Sequence, residues 1–138
     1  MMTPIDCHRG VVHPWMCDAM GHFTTRHYVA MFDDAAYHLF SAIGFSKDHL
    51  EAGIGFADVR TTLTYKGELR AGTLTLVRGR LLRLGRTSFT TAYEMQEVPT
   101  GRLAAEMEAV TVQFDLEART AIPLAADIRE KAEAMLND

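Results

Sequence analysis

The sequence predicts an α+β roll, in which a twisted antiparallel sheet curls around one long helix. Three observations predict it. One uninterrupted stripe of apolar residues at helical spacing runs from Arg26 to about Ile43. Everything from Ile54 to Phe114 reads as strand and turn. The links between those strands are hairpin-length, and a parallel crossover would need a dozen residues or more. A sheet with one apolar face must cover it, and a single amphipathic helix is the available cover.

Each element has its own warrant. Val11, Val12, Trp15 and Met16 mark residues 8–16 as a first strand. Asp18-Ala19-Met20-Gly21-His22-Phe23 breaks the periodicity, and Thr24 or Thr25 can cap a helix. Tyr28, Met31, Phe32, Ala35, Leu39 and Ile43 then recur at steps of three and four until Gly44 ends the helix. From Val59 to Tyr65 the pattern alternates, setting Val59, Leu63 and Tyr65 against Arg60, Thr62 and Thr64. Tyr65 shares a face with Leu63 and is expected in the core. Residues 66–72 form a connection with two glycines. Thr73 to Leu84 is a long strand whose pattern slips near Gly79, which predicts a bulge there. Gly85 marks a tight turn, and Phe89, Tyr93 and Met95 supply the apolar face of the next strand. Pro99-Thr100-Gly101 turns into a last strand ending near Asp115. A weaker helical stripe of Ile128, Ala132 and Met135 follows from about Ala125 to Leu136.

Composition bounds the function. At 138 residues and 48% hydrophobic content the chain suits one domain, residues 1–138. It is too small to enclose a large ligand within one subunit. A net charge of −4 gives no electrostatic case for a nucleic-acid partner. The two cysteines, Cys7 and Cys17, form no CxxC pair and suggest a reducing compartment. The N-terminus lacks a signal-like apolar stretch, and no apolar run approaches the ~20 residues of a membrane span. A cytoplasmic protein without a membrane partner is expected.

The chemistry concentrates between Asp18 and Tyr28, just ahead of the long helix. Free backbone amides at a helix start attract negative charge and can stabilise the oxyanion of acyl transfer. Asp18, a few residues upstream, can fold back to attack a carbonyl or activate water. Gly21 permits the turn. From residue type alone, Asp18 also reads as a turn residue bonding its own backbone, and His22 as a packed histidine.

This stretch is similar to the signature of the 4-hydroxybenzoyl-CoA thioesterase family, roughly Asp-x-x-Gly-His-x-Asn-x-x-x-Tyr. Asp18, Gly21, His22 and Tyr28 match it. The resemblance continues through Phe32-Asp33-Asp34-Ala35, Gly44, Tyr65, Glu68-Leu69-x-x-Gly72, Gly85-x-x-Ser88-Phe89, Gly101-Arg102-x-Ala104, Asp115 and Pro123. It implies a hotdog fold: a five-stranded antiparallel sheet wrapped around one long central helix. It also implies hydrolysis of an acyl-CoA thioester to free acid and CoA. Carried over, Asp18 is nucleophile or general base, the amide near Thr25 is the oxyanion donor, and His22 orients or assists. Gly21, Thr24 and Tyr28 fall within the substrate-binding segment. Thr24 replaces the usual Asn, and a hydroxyl cannot reproduce both donor and acceptor of an amide. Sites in such proteins lie between subunits, so a homodimer or homotetramer is expected.

CoA carries several phosphates. The resemblance sets a nucleotide-contacting segment at the Gly85–Ser88 turn, making Arg86 and Ser88 candidate phosphate donors. A solvated strand face is the competing reading for the arginines here. Arg60 is a candidate contact for the acyl group if it points inward. No cofactor is expected, since CoA belongs to the substrate. No metal is expected either, since His8/His13 and His22/His27 lie five apart and no His-Glu-x-x-His occurs. A Gly-x-Ser-x-Gly elbow is missing, which argues against an α/β-hydrolase. Two rivals remain: a hydratase or dehydratase of the same fold, and a non-catalytic module that binds acyl thioesters.

Overall fold

The computed structural model describes residues 1–138. In chain order the elements are β1 (Ile5–Val11), α1 (Thr25–Ala42), α2 (Lys47–Glu51), β2 (Ile54–Tyr65), β3 (Leu74–Leu84), β4 (Ser88–Val98), β5 (Leu103–Asp115), β6 (Thr120–Ala121) and α3 (Ala126–Leu136). The sheet runs β1-β3-β4-β5-β2, every pair antiparallel, with the two-residue β6 added beside β5. Hairpins join β3 to β4 and β4 to β5, as short links require. β1 and β2 lie at opposite edges, so the segment between them, which contains α1, must cross the sheet. It does so on the concave face. No helix is long and apolar enough to cross a membrane.

The α1 stripe buries Tyr28, Met31, Phe32, Ala35, Ala36, Leu39 and Phe40, a repeat of three and four that keeps one helix face on the sheet. Phe32 is fully buried, with its ring 6.4 Å from that of Tyr93. Phe40 meets Phe89 and Phe56 at 5.7 and 5.1 Å. Burying each such side chain contributes roughly 1.5–3 kcal/mol. Phe89, Tyr93 and Met95 all point into this core, as their alternation requires. Gly44 ends the helix with φ +96°, a conformation natural to glycine.

Several sequence expectations shift. The first strand is Ile5–Val11, and Trp15 and Met16 belong to a single 3-10 turn begun by Pro14. Proline supplies no ladder N–H and pre-sets the turn's φ. Trp15 stays exposed and stacks on His13 at 4.3 Å. The slip in β3 is at Leu81/Arg83, not at Gly79. Gly79 answers a different need: a Cβ there would sit 2.8 Å from the Tyr93 ring. A further slip between Asp58 and Arg60 removes Val59 from the predicted alternation. The one-turn helix α2 has no counterpart in the predicted pattern. It is set by Ser46, whose N–H donates to His49 Nδ1, while His49 Nε2 pairs with Asp127 of α3 at 2.9 Å. In α3, Ile128 and Ala132 are fully buried.

Candidate active site

The segment from Cys17 to Thr24 is a closed loop whose own backbone dictates its shape. Asp18 N–H donates to the His22 carbonyl at 2.8 Å, and Gly21 N–H donates to the Asp18 carbonyl at 3.0 Å. Asp18 Oδ1 accepts the amides of Met20 and His22 at 2.9 and 3.1 Å. Gly21 takes φ +82°, which explains why a glycine closes the turn. Two bonds fix the loop on its neighbours: Phe23 N–H to the Leu69 carbonyl at 2.8 Å, and Thr24 N–H to the Met16 carbonyl at 3.0 Å.

Thr24 then takes the N-cap position of α1, with extended backbone and no side-chain cap. Its carbonyl accepts the amides of His27 and Tyr28, while its Oγ1 is buried without a partner. The amides of Thr25 and Arg26 therefore have no acceptor within the chain. With no acidic residue in the first turn, the positive end of the helix dipole is left uncompensated at this point.

A cavity of about 400 Å³ opens beside Thr25, lined by His22, Phe23, Thr25, Tyr28, Tyr65 and residues 66–68. Its aromatic wall is continuous. Phe23 lies 4.5 Å from Tyr28, and Tyr28 lies 5.2 Å edge-on from Tyr65. The Tyr28 hydroxyl donates to the Gly67 carbonyl at 3.3 Å. Burial, with the neighbouring Tyr65 next in importance, raises the Tyr28 pKa and keeps it a donor. The Tyr65 hydroxyl donates to Thr25 Oγ1 at 2.9 Å, and His22 Nε2 meets Glu68 Oε2 at 3.1 Å.

Of the residues expected from sequence, the chain brings His22, Thr25 and Tyr28 to this cavity. Asp18 and Gly21 lie on the exposed side of the same loop. Arg60 pairs with Val110, on the sheet face that also carries Glu106 and Glu108, away from the helix. Tyr65 does lie on the inner face, opposite Ala105, but it is not core: it is 48% exposed. Only the first turn of α1, through Thr25 and Tyr28, lies against it. Arg86 and Ser88 lie beside Phe89, at the far end of α1 where Phe40 packs. Eighteen helical residues put that end roughly 27 Å from Thr25. One chain does not unite them with the cavity. Glu68 and Lys66 went unassigned by sequence reasoning, although Glu68 belongs to the quoted Glu-Leu-x-x-Gly turn. No three His, Cys, Asp or Glu side chains converge to hold a metal ion.

A curled antiparallel sheet around a long helix, with an acceptor-free helix start beside a cavity, defines the class: a protein of the hotdog fold. The sequence profile described as the thioesterase-like superfamily matches residues 12–132, and the chain belongs to that superfamily of thioester hydrolases. No curated protein matches the sequence. Solved structures do. The hypothetical protein SAV2348 from Staphylococcus aureus, determined in complex with CoA, superposes with a TM-score of 0.90 at 15% identity, covering 99% of this chain and 86% of that one. A DHNA-CoA thioesterase from Staphylococcus aureus gives 0.82 at 20% identity, covering 94% and 91%. YbaW, a probable thioesterase from Escherichia coli, gives 0.80 at 21% identity, covering 93% and 96%. At these identities the likeness is one of fold.

Proposed function

We propose that the protein hydrolyses an acyl-CoA thioester to free acid and CoA, with residues 1–138 acting as a single hotdog domain in the cytoplasm. The observation that carries this reading is the pair of Thr25 and Arg26 amides, free of any internal acceptor, at a helix start whose Thr25 lines the 400 Å³ cavity. A thioester carbonyl placed there is polarised, and the charge that develops on its oxygen meets donors already in position. One such donor typically contributes ~3–4 kcal/mol in the transition state. The CoA complex of SAV2348 and the likeness to a DHNA-CoA thioesterase support the substrate class.

Asp18 acts as nucleophile or as general base toward water. Its Oδ1 is held by two amides, and no internal donor engages Oδ2. His22 lines the cavity and orients the reacting group. Tyr28 and Gly21 keep the wall and turn in place, and Thr24 holds the N-cap position that sets the free amides of Thr25 and Arg26. Arg86 and Ser88 bind the nucleotide phosphates from a second copy of the chain, because within one chain they lie too far from Thr25. The free edge of β2 is the natural seam for such a dimer. Arg60, on that strand, then lies near the seam.

One observation favours a second reading. Asp18 Oδ1 makes the two backbone bonds that a purely structural turn residue makes. On that reading the protein binds acyl thioesters without cleaving them. Thiol release from a panel of short-chain, long-chain and aromatic acyl-CoAs separates the two. Turnover of any panel member supports the hydrolase, and saturable binding without turnover supports the binding module.

A further inference from the structure

We infer that Tyr65 turns the Thr25 hydroxyl into a second oxyanion donor, so that Thr25 offers both its N–H and its O–H to one carbonyl oxygen. The inference rests on the hydrolase reading above. It begins with the bond from the Tyr65 hydroxyl to Thr25 Oγ1 at 2.9 Å. A threonine hydroxyl has one proton and two acceptor lone pairs. Once Tyr65 has filled one lone pair, the Thr25 proton must point elsewhere, and no acceptor within the chain takes it. Both residues line the cavity.

The Tyr65 ring is held for this task. It stands edge-on to Tyr28, whose own hydroxyl is tied to the Gly67 carbonyl at the start of the β2–β3 connection. An exposed tyrosine would otherwise swing freely, and a freely swinging donor orients nothing. The tyrosine that alternation assigns to the core thus belongs to the site.

In the reaction, the attacking oxygen adds to the carbonyl carbon and the C=O π pair moves onto the carbonyl oxygen. The N–H and O–H of Thr25 both donate to that oxygen without transferring a proton. When the pair returns, C=O re-forms and the C–S bond breaks. Over the full cycle the oxygen of water enters the acid, and the sulfur leaves as thiolate or, after taking a proton from solvent, as thiol. Thr25 is catalytic by its contact with the oxyanion, and Tyr65 is a positioning residue.

A double-mutant cycle tests this on the full-length protein, using thiol release from its best acyl-CoA substrate. Thr25→Val keeps the amide and the side-chain shape, and is expected to lower kcat about thirtyfold with KM changed less than about twofold. Thr25→Ser keeps the hydroxyl and is expected to stay within about threefold of wild type. Tyr65→Phe is expected to lower kcat about tenfold. Tyr65→Phe combined with Thr25→Val should be no slower than Thr25→Val alone, because the tyrosine acts only through the hydroxyl. Losses that multiply independently, or a Tyr65→Phe enzyme at the wild-type rate, overturn the relay and leave the hydrolase standing. A wild-type protein that cleaves no thioester removes both.

Discussion

Asp18 and His22 close a ring through their own backbone: Asp18 N–H donates to the His22 carbonyl at 2.8 Å, and His22 N–H donates to Asp18 Oδ1 at 3.1 Å. The carboxylate therefore has a structural task separate from chemistry. Asp18→Ala removes the acceptor for two amides and is expected to lower stability by about 1 kcal/mol, a modest figure because the turn is exposed and its amides can bond water. Asp18→Asn keeps an oxygen in place and should stay within about 0.5 kcal/mol of wild type. Urea unfolding reads both, and a stability loss for Asn equal to that for Ala would contradict the ring.

Gly79 lies beneath the ring of Tyr93. An added Cβ would meet two ring carbons at 2.8 Å and Cys7 Sγ at 3.1 Å. Since Tyr93 is fully buried and packs on Phe32, it has little room to withdraw. Gly79→Ala should destabilise the protein by about 1–3 kcal/mol. An unchanged urea midpoint would mean that the ring moves freely.

Burial pushes the Cys7 thiol up to about 11, from an ordinary 9.0. The folded chain thus holds this proton to higher pH than the unfolded chain does. Stability from this group is complete below pH 9 and declines as pH rises from 9 toward 11. Urea midpoints measured from pH 8 to 10.5 should fall more steeply for wild type than for Cys7→Ala. Parallel slopes would show that the thiol does not contribute.

Arg86 offers a test of the nucleotide end. If it contacts a CoA phosphate, Arg86→Ala should raise KM for an acyl-CoA about tenfold while leaving kcat nearly unchanged. The same acyl group on pantetheine, which lacks the nucleotide, should be hydrolysed equally by both proteins. An equal KM for acyl-CoA would place the phosphates elsewhere.

Much of the architecture is legible in the chain because burial imposes periods. The stripe from Tyr28 to Leu39 and the alternation of Phe89, Tyr93 and Met95 each report one face of one element, and each face is where it should be. Position along the chain is also enough to put Thr25 at the helix start and Asp18 in the turn that precedes it. What escapes is whatever depends on a neighbour. Gly79 is small because Tyr93 lies over it, which no local pattern reveals. Tyr65 obeys its alternation yet stays exposed, because only the first turn of α1 lies against it. Pro14 halts β1 early, against the apolar pull of Trp15 and Met16. Glu68 acquires its place beside His22 only through the fold.

The most direct measurement compares initial rates of thiol release by wild type and Asp18→Asn on the acyl-CoA that wild type cleaves best. Asparagine preserves the loop but can neither attack a thioester as a carboxylate nor take a proton from water. The expected result is at least a hundredfold loss in kcat with KM within about threefold, in a variant as stable as its parent. Equal rates in the two proteins would contradict the account.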